Sequence, residues 1–227
     1  MRSITLESVR IEPKEKPDSA VILMHGLGAD GHDFESLVPE LHLPVAPSIR
    51  WILPHAQLRP VTINGGLSMP AWFDIADIDH RAAEDETGIR ESAAAIGALV
   101  RAERDSGIAP DRIILAGFSQ GGAMALFTAL RWPERLGGVA ALSCWLPLPD
   151  TLTAEAHRAN SAVPLFMAHG TMDPMVPLHV AEESRDFLRT NGYPVTWLTY
   201  PMPHSVCMAE VADLREWLLG ALPVPSR

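Results

Sequence analysis

The sequence contains only two cysteines, Cys144 and Cys207, and their separation matches no paired metal-ligand spacing. So few cysteines exclude the disulfide-dense class of small secreted domains, and we expect a reduced, cytoplasmic protein. Both thiols are interpreted as small buried hydrophobic groups rather than as nucleophiles. The histidines also lack an H-E-x-x-H or similar arrangement, so the sequence does not favour a metal-dependent hydrolase and we expect no metal.

Positive charge and long apolar runs are scarce as well. The chain has 18 Lys and Arg residues against 28 Asp and Glu, which gives a formal net charge of -10. Nucleic-acid binders concentrate cations against phosphates, so this balance argues against a nucleic-acid partner. No apolar run approaches the roughly 18 residues that a spanning helix needs. We therefore expect no integral membrane segment, and the start of the chain also lacks the apolar core of a signal peptide.

What the sequence does contain fits an ordinary globular protein, with 47% hydrophobic residues among its 227. This length suits one α/β domain spanning residues 1–227. The segment 55–81 fits neither helical nor strand periodicity. We therefore expect an irregular substrate-side loop there, because long irregular stretches in compact domains are often binding loops.

Short apolar runs alternate with longer helical patterns along the chain. Continuous apolar runs predict strands covered on both faces, at 20–24, 49–53, 112–116, 138–142, 163–168 and 195–200. The alternating segment 4–11 predicts an outer antiparallel strand. Helices are predicted between the runs, at 33–41, 85–104, 120–131, 177–190 and 205–219. This alternation predicts an α/β fold with a mainly parallel central sheet and helices on both faces.

The pentapeptide Gly117-Phe118-Ser119-Gln120-Gly121 has the G-x-S-x-G pattern of a nucleophile elbow. A predicted strand runs directly into it and a helix of small residues leaves it, which is the setting that an elbow needs. Glycines permit the sharp turn, and the helix dipole favours negative charge developing beside the serine. Ser119 is therefore the candidate nucleophile, in preference to a plain capping serine.

A serine hydroxyl needs a base, and the chain offers nine histidines. Four of them follow a predicted strand, where chemistry gathers in parallel sheets: His25, His55, His169 and His204. The order nucleophile, acid, histidine of the elbow pattern favours His204, because it alone follows both Ser119 and the best acid. A helix-capping role is the alternative for this histidine.

The acid is expected at a strand end between the serine and the histidine. Asp173 fits best, because Pro174 and Pro177 would fix its turn. Asp150 is the second choice, although an N-cap role at the next helix suits it better. A carboxylate in this position holds the imidazole tautomer and stabilises the imidazolium.

An oxyanion needs two fixed N–H donors, and the elbow pattern indicates where they are. One is the amide of Gln120, directly after the nucleophile. The other comes from the turn after the first buried strand, His25-Gly26-Leu27-Gly28, where we favour the Leu27 amide. The same glycines would also form a tight turn without any catalytic role.

With these residues in place, the sequence resembles the carboxylesterase and acyl-protein thioesterase family of small α/β-hydrolases. The resemblance spans almost the whole chain in family order and rests on the segments MHGLGADGHDF, PHAQLRPVTINGG, AWFDI, LAGFSQGGAMAL, HGTMDPMVP and PHSVC. It implies an α/β-hydrolase fold, hydrolysis of carboxylic esters or thioesters, no cofactor and often a homodimer. It carries the catalytic roles onto Ser119, Asp173 and His204, and the oxyanion amides onto Leu27 and Gln120.

One position departs from the family pattern, which usually has glycine before the catalytic histidine. This chain has Pro203 there. Proline fixes its own φ and biases Met202 toward extended geometry. A stiffer loop around His204 is the expected consequence.

An apolar acyl pocket is only partly readable from the sequence, since core packing explains each candidate residue about as well. The aromatic residue favoured most strongly is Trp72, because AWFDI belongs to the resemblance. The remaining candidates lie in the irregular segment or follow predicted strands, and are Leu67, Met69, Trp145, Met175 and Val176.

These features predict a serine carboxylesterase that acts on small-molecule or lipid-like esters of short to medium acyl chains. An acyl-protein thioesterase or a lysophospholipase would use the same catalytic residues and stays open. A non-catalytic binding protein on a hydrolase fold is the alternative of another class. Retention of a full Ser–Asp–His set argues against a pure binder.

Overall fold

The computed structural model describes residues 6–77 and 84–224, and a seven-stranded sheet runs through these residues in the order β1-β3-β2-β6-β7-β8-β9. Every strand pairs in parallel except β1, which pairs antiparallel with β3. The strands are β1 Ser8–Ile11, β2 Ser19–Met24, β3 Ile49–Pro54, β6 Ile113–Phe118, β7 Gly138–Leu142, β8 Leu165–Gly170 and β9 Val195–Tyr200. The mainly parallel sheet confirms the predicted fold class.

Helices cover both faces of this sheet, because each face of the apolar strands needs an apolar partner. The helices are α1 Leu37–Glu40, α2 Glu86–Asp105, α3 Gln120–Leu130, α4 Pro149–Glu155, α5 Leu178–Thr190 and α6 Met208–Ala221. Buried residues of α2, α3 and α5 join one core cluster, and those of α6 join a second cluster on the opposite face. No helix within residues 6–77 and 84–224 is long and apolar enough to cross a membrane.

Each predicted buried strand overlaps an observed strand, with shifts of at most two residues at either end. Arg112 lies in a 3-10 turn before β6, and its guanidinium binds Asp18 at 2.7 Å. The run 163–168 begins pairing only at Leu165. Of the N-terminal segment 4–11, residues 8–11 form the expected antiparallel edge strand, and residues 4 and 5 lie outside the described residues.

The segment 55–81, expected to be irregular, contains a small second sheet. Strands β4 Leu58–Val61 and β5 Leu67–Pro70 pair antiparallel across Gly65 and Gly66, which both have positive φ. Each strand contains a proline, which sequence patterns associate with turns, and half of their eight residues are exposed. Residues 78–81 of the segment lie outside the described residues.

The single helix expected over 33–41 is instead two separate turns. A 3-10 turn spans Gly31–Phe34 and the one-turn helix α1 follows. Pro39 lacks the amide hydrogen that a longer helix would need at this point.

The carboxyl ends of β2, β6, β8 and β9 all meet at one edge of the sheet, and the segments that follow them build the site.

Candidate active site

Ser119 lies at the sharp turn between β6 and α3. Its backbone angles, φ 55° and ψ -124°, are strained for a residue with a side chain. The Ser119 amide donates to the Leu142 carbonyl at 2.8 Å, which holds the turn against β7. A Cβ atom on Gly121 would lie 2.1 Å from the Met24 carbonyl oxygen, so only glycine allows α3 to approach β2 this closely. The serine thus sits at the helix N-terminus, as the G-x-S-x-G pattern predicts.

His204 and Asp173 are hydrogen-bonded partners beside this turn. His204 Nδ1 and Asp173 Oδ2 are 2.6 Å apart. The other carboxylate oxygen, Oδ1, accepts from the amides of Met175 at 2.8 Å and Val176 at 2.9 Å. Burial by itself would raise the pKa of Asp173, but the hydrogen bonds from His204 and these amides outweigh it and lower the pKa. Asp173 is therefore a fixed, ionised acceptor for the imidazole.

Pro203 leaves His204 within hydrogen-bonding distance of Asp173. The loop runs close over the end of β8, since a Cβ on Gly170 would lie 2.6 Å from the Pro203 carbonyl oxygen. The imidazole also contacts the Phe118 ring, at a centroid separation of 4.6 Å. Contacts with the strand end, the ring and the carboxylate together hold the histidine in place.

His25 organises the turn that carries the expected Leu27 donor. The fully buried imidazole accepts from the Ala56 amide through Nε2 at 3.0 Å. Burial lowers the pKa of His25, so the ring is neutral and its proton sits on Nδ1. Nδ1 then donates to the Gly26 carbonyl at 2.7 Å. This bond fixes the peptide plane whose N–H belongs to Leu27.

Trp72 supports the same turn from behind and does not line the cavity. It is only 1% exposed, and its indole Nε1 donates to the His25 carbonyl at 2.8 Å. The Gln120 side chain accepts from the Trp72 amide at 3.0 Å and donates to the Phe73 carbonyl at 2.8 Å. We expected Trp72 to contact substrate. In the structure it instead lies in the core and supports the turn that carries Leu27.

A cavity of about 580 Å³ opens at this edge of the sheet, and Ser119, His204 and Leu27 all line it. Of the predicted pocket residues, four line the same cavity, namely Met69, Trp145, Met175 and Val176. Leu67 does not, because its side chain points to solvent from β5 and is 67% exposed. The cavity is thus lined mainly by apolar side chains around the serine and the histidine.

Several lining residues were not predicted as pocket residues: Phe34, Ile63, Asn64, Ile75, Phe118 and Val206. Phe118 occupies the first variable position of the G-x-S-x-G pattern, and the elbow itself is the signal that would have indicated it. Ile63 and Asn64 come from the turn between β4 and β5, which sequence periodicity did not reveal.

The rejected candidates lie elsewhere. Asp150 is exposed in the first turn of α4, and it does not line the cavity. His169 is fully buried, with Nε2 2.8 Å from the Val176 carbonyl oxygen, so it supports the loop that follows Asp173. Cys144 is buried against α3, and burial raises the pKa of its thiol, which makes it unreactive.

Comparison with known proteins identifies the family of the chain. The chain matches the phospholipase/carboxylesterase family over residues 6–220. It is 39% identical to acyl-protein thioesterase 1 of Cryptococcus neoformans, covering 96% of this chain and 98% of that protein. It is 41% identical to acyl-protein thioesterase 1 of Neurospora crassa, over 90% of this chain and 87% of the relative.

Solved structures give the same result. The crystal structure of Zea mays acyl-protein thioesterase 2 superposes with a TM-score of 0.85 at 31% identity, over 95% of this chain and 99% of that one. Arabidopsis thaliana SOBER1 superposes with a TM-score of 0.85 at 28% identity, over 90% of this chain and 99% of that one. These relatives set aside the alternative of a non-catalytic binding protein. The chain belongs to the phospholipase/carboxylesterase family and is a carboxylic ester hydrolase.

Proposed function

We propose that this chain is a serine carboxylesterase that hydrolyses carboxylic esters of short to medium acyl chains, with Ser119 as nucleophile, His204 as base and Asp173 as its partner. The observation that carries the proposal is the 2.6 Å contact between His204 Nδ1 and Asp173 Oδ2, on the same cavity as the strained serine. Because the Asp173 carboxylate can only accept a hydrogen bond, Nδ1 of His204 carries the ring proton. Nε2 is then left unprotonated and able to accept a proton.

The reaction follows in two acyl-transfer steps. Ser119 Oγ attacks the ester carbonyl while His204 accepts its proton, and His204 then protonates the departing alcohol. Water, deprotonated by the same imidazole, attacks the acyl-enzyme and releases the acid and Ser119. Asp173 stays ionised throughout and stabilises the imidazolium.

The amides of Leu27 and Gln120 are the proposed oxyanion donors. The bond from His25 Nδ1 to the Gly26 carbonyl supports this role for Leu27, because one rigid peptide plane holds both groups. Gln120 is the first residue of α3, so its N–H lies at the positive end of the helix dipole. Each such donor typically contributes about 3 kcal/mol of transition-state stabilisation.

A thioesterase activity is the second candidate, and the identity of the relatives favours it. Two acyl-protein thioesterases are 39% and 41% identical to this chain over most of their length. The same three side chains would act, with a thiol in place of the alcohol as leaving group. The two candidates therefore differ in the substrate and not in the mechanism.

The test is hydrolysis of p-nitrophenyl butyrate by the wild-type chain and by Ser119→Ala. We expect kcat/KM to fall by about 10⁴-fold or more, since loss of a nucleophile removes the covalent route. Ser161→Ala is the matched control, because the hydroxyl of this exposed serine donates to the nearby Arg158 carbonyl and the residue does not line the cavity. Equal activity of wild type and Ser119→Ala would identify a different nucleophile.

The acyl range is tested with a p-nitrophenyl series from acetate to palmitate and a parallel series of thioesters. The 580 Å³ apolar cavity supports a preference for short to medium chains. Palmitate as the best substrate would contradict it. Higher kcat/KM for thioesters than for matched esters would favour the thioesterase candidate.

We also propose a homodimer, which the family resemblance implies, in the cytoplasm, which the low cysteine count favours. Light scattering should then give a native mass twice the 24.7 kDa of one chain. A mass of one chain would contradict the dimer without affecting the catalytic proposal.

A further inference from the structure

The charges that line the cavity are few and of one sign. Within the described residues, the lining has a single carboxylate, that of Asp33, and no lysine or arginine. Asp33 belongs to the 3-10 turn Gly31–Phe34, which follows the loop carrying Leu27, and its side chain is exposed. From the described residues, a substrate that enters this cavity therefore meets one negative charge besides the histidine.

No lysine or arginine in the described part of the chain pairs with this carboxylate, and the protonated ring of His32 forms its ion pair with Glu35. The two neighbouring acids are occupied: Asp30 accepts from the His32 amide at 2.7 Å, and Glu35 forms an ion pair with the His32 ring. For Asp33, no side-chain hydrogen bond or ion pair occurs among residues 6–77 and 84–224. Its charge is thus free to act on a bound substrate.

The field of Asp33 reaches the oxyanion loop. Burial lowers the pKa of His25, and the charges of Asp30 and Asp33 act on that pKa in the opposite direction. His25 bonds the Gly26 carbonyl, which shares its peptide with the proposed Leu27 donor. A charge that is felt at this loop is also felt by groups near the scissile bond, because Coulomb interactions at such range are only partly screened.

The position of Asp33 indicates which part of the substrate it faces. The apolar lining from β5, from the segment after β5 and from the loop after β7, such as Met69, Ile75 and Trp145, suits the acyl chain. Asp33 is exposed, so it lies where the cavity meets solvent. The polar departing group has to leave toward solvent and is the part that passes this carboxylate.

We propose that Asp33 is a specificity-determining residue, which makes the enzyme prefer esters and thioesters with a cationic or neutral leaving group over those with an anionic one. The proposal rests on the hydrolase function proposed above and narrows its substrate class. It disfavours acyl esters whose departing alcohol carries a carboxylate or a phosphate. Two unit charges about 8 Å apart in water-like surroundings change an affinity by roughly 2.4-fold. A cationic and an anionic leaving group are affected in opposite directions, so the ratio of their kcat/KM values should change by about fivefold when the charge of Asp33 is removed.

The test compares three butyryl thioesters whose departing thiols are thiocholine, 2-mercaptoethanol and 3-mercaptopropionate. Thiol release is followed at pH 8 and low ionic strength for the wild type, Asp33→Asn and Glu35→Gln. We expect the cationic-to-anionic ratio of kcat/KM to fall about fivefold in Asp33→Asn relative to wild type. Comparing this ratio between two enzymes cancels the intrinsic reactivity of each thioester, because that reactivity is the same for both enzymes.

Glu35→Gln is the matched control. The substitution removes the same charge from the same exposed segment, but Glu35 does not line the cavity. Its ratio should equal that of the wild type. In about 0.5 M salt the difference between wild type and Asp33→Asn should shrink below twofold, since the screening length is then only about 4 Å. An unchanged ratio in Asp33→Asn, or an equal loss in Glu35→Gln, would overturn the assignment.

A binding measurement separates failure of this proposal from failure of the proposed function. The Kd values of n-octyltrimethylammonium and n-octyl sulfate, measured by calorimetry with Ser119→Ala, do not depend on turnover. We expect tighter binding of the cation, and loss of that preference when Asp33→Asn is added. Equal affinities in both backgrounds would overturn the role of Asp33 whatever the thioester assays give.

Discussion

The two carboxylate oxygens of Asp173 have separate partners. Oδ2 faces His204 Nδ1, and Oδ1 accepts from the amides of Met175 and Val176. The backbone amides hold the carboxylate in place, and the remaining oxygen selects the histidine tautomer. Positioning and tautomer selection therefore depend on different atoms of one side chain.

An Asp173→Asn substitution separates these two functions. The amide oxygen can still accept from Met175 and Val176, but its NH₂ group then faces His204 Nδ1 and forces the proton onto Nε2. We expect kcat to fall by about 10³–10⁴-fold with the free energy of unfolding changed by only about 1–2 kcal/mol. Ester hydrolysis and urea denaturation measure the two quantities.

Asp150→Asn is the matched control for this prediction. Asp150 is the other acid that chain order allowed, and it is exposed at the start of α4. Its substitution should leave kcat within twofold of wild type. A large loss in Asp150→Asn together with a small one in Asp173→Asn would reverse the assignment of the acid.

Chain order was enough to bring Ser119, Asp173 and His204 into one site, because consecutive strands of a parallel sheet end at the same edge. The role of Trp72 was not readable in this way. Its indole N–H finds a partner in the His25 carbonyl, 47 positions away in sequence. A sequence pattern indicates that an aromatic residue is present, but not which side of a loop it packs on.

At the scale of elements, the site depends on how closely α3 approaches β2. A Cβ atom on Gly121 would meet the Met24 carbonyl oxygen at 2.1 Å and the His25 carbonyl oxygen at 2.7 Å. Both atoms belong to the backbone of a central strand and its following turn, which cannot shift without breaking sheet hydrogen bonds. The strand and the helix are therefore locked together through one glycine.

We expect Gly121→Ala to lower the free energy of unfolding by at least about 2–3 kcal/mol, because the added methyl overpacks against fixed backbone. Gly220→Ala is the matched control, since Gly220 lies in α6 with no atom within 4 Å of an added Cβ. It should raise stability by about 0.5–1 kcal/mol through the higher helix propensity of alanine. Urea denaturation followed by circular dichroism measures both, and equal effects would contradict this account of the elbow.

Elements with a strong apolar signal were predictable, and those held by contacts distant in sequence were not. The strands β2, β6 and β7 are continuous apolar runs, and each was predicted to within two residues. The hairpin of β4 and β5 has short, proline-containing strands that are only half exposed and show no regular alternation, so no periodicity reveals it. It is held by contacts such as the hydrogen bonds from Thr62, in the turn between the two strands, to the Asp74 carboxylate.

At the scale of the whole molecule, one buried carboxylate links stability to pH. Glu210 lies in the first turn of α6, on the face packed against the sheet, and is fully buried. No side-chain donor among the described residues bonds its oxygens. Burial raises the pKa of Glu210 to about 8, against a smaller lowering by the Cys207 amide. The folded protein therefore holds a proton at neutral pH that the unfolded chain, with a glutamate pKa of about 4.3, has released.

The sign of the effect on stability follows from this difference. Between pH about 4.3 and about 8 the folded state binds more protons at Glu210 than the unfolded state, so the free energy of unfolding falls as pH rises. The contribution is complete below the lower value and is lost as pH passes the upper one. A shift of this size corresponds to an effect on the order of 3–5 kcal/mol, of which relaxation of the folded state removes part.

A Glu210→Gln substitution keeps the shape of the side chain and removes its ionisation. We expect the variant to match wild type within about 1 kcal/mol at pH 5 and to be more stable by roughly 2–4 kcal/mol at pH 9, with the difference growing between these values. Glu216→Gln is the control, because Glu216 is exposed on the same helix and its charge stays in water. Urea denaturation at each pH measures the three proteins. Parallel stability curves for Glu210→Gln and wild type would mean that Glu210 is ionised in the folded protein, with a cation or water in contact with its carboxylate.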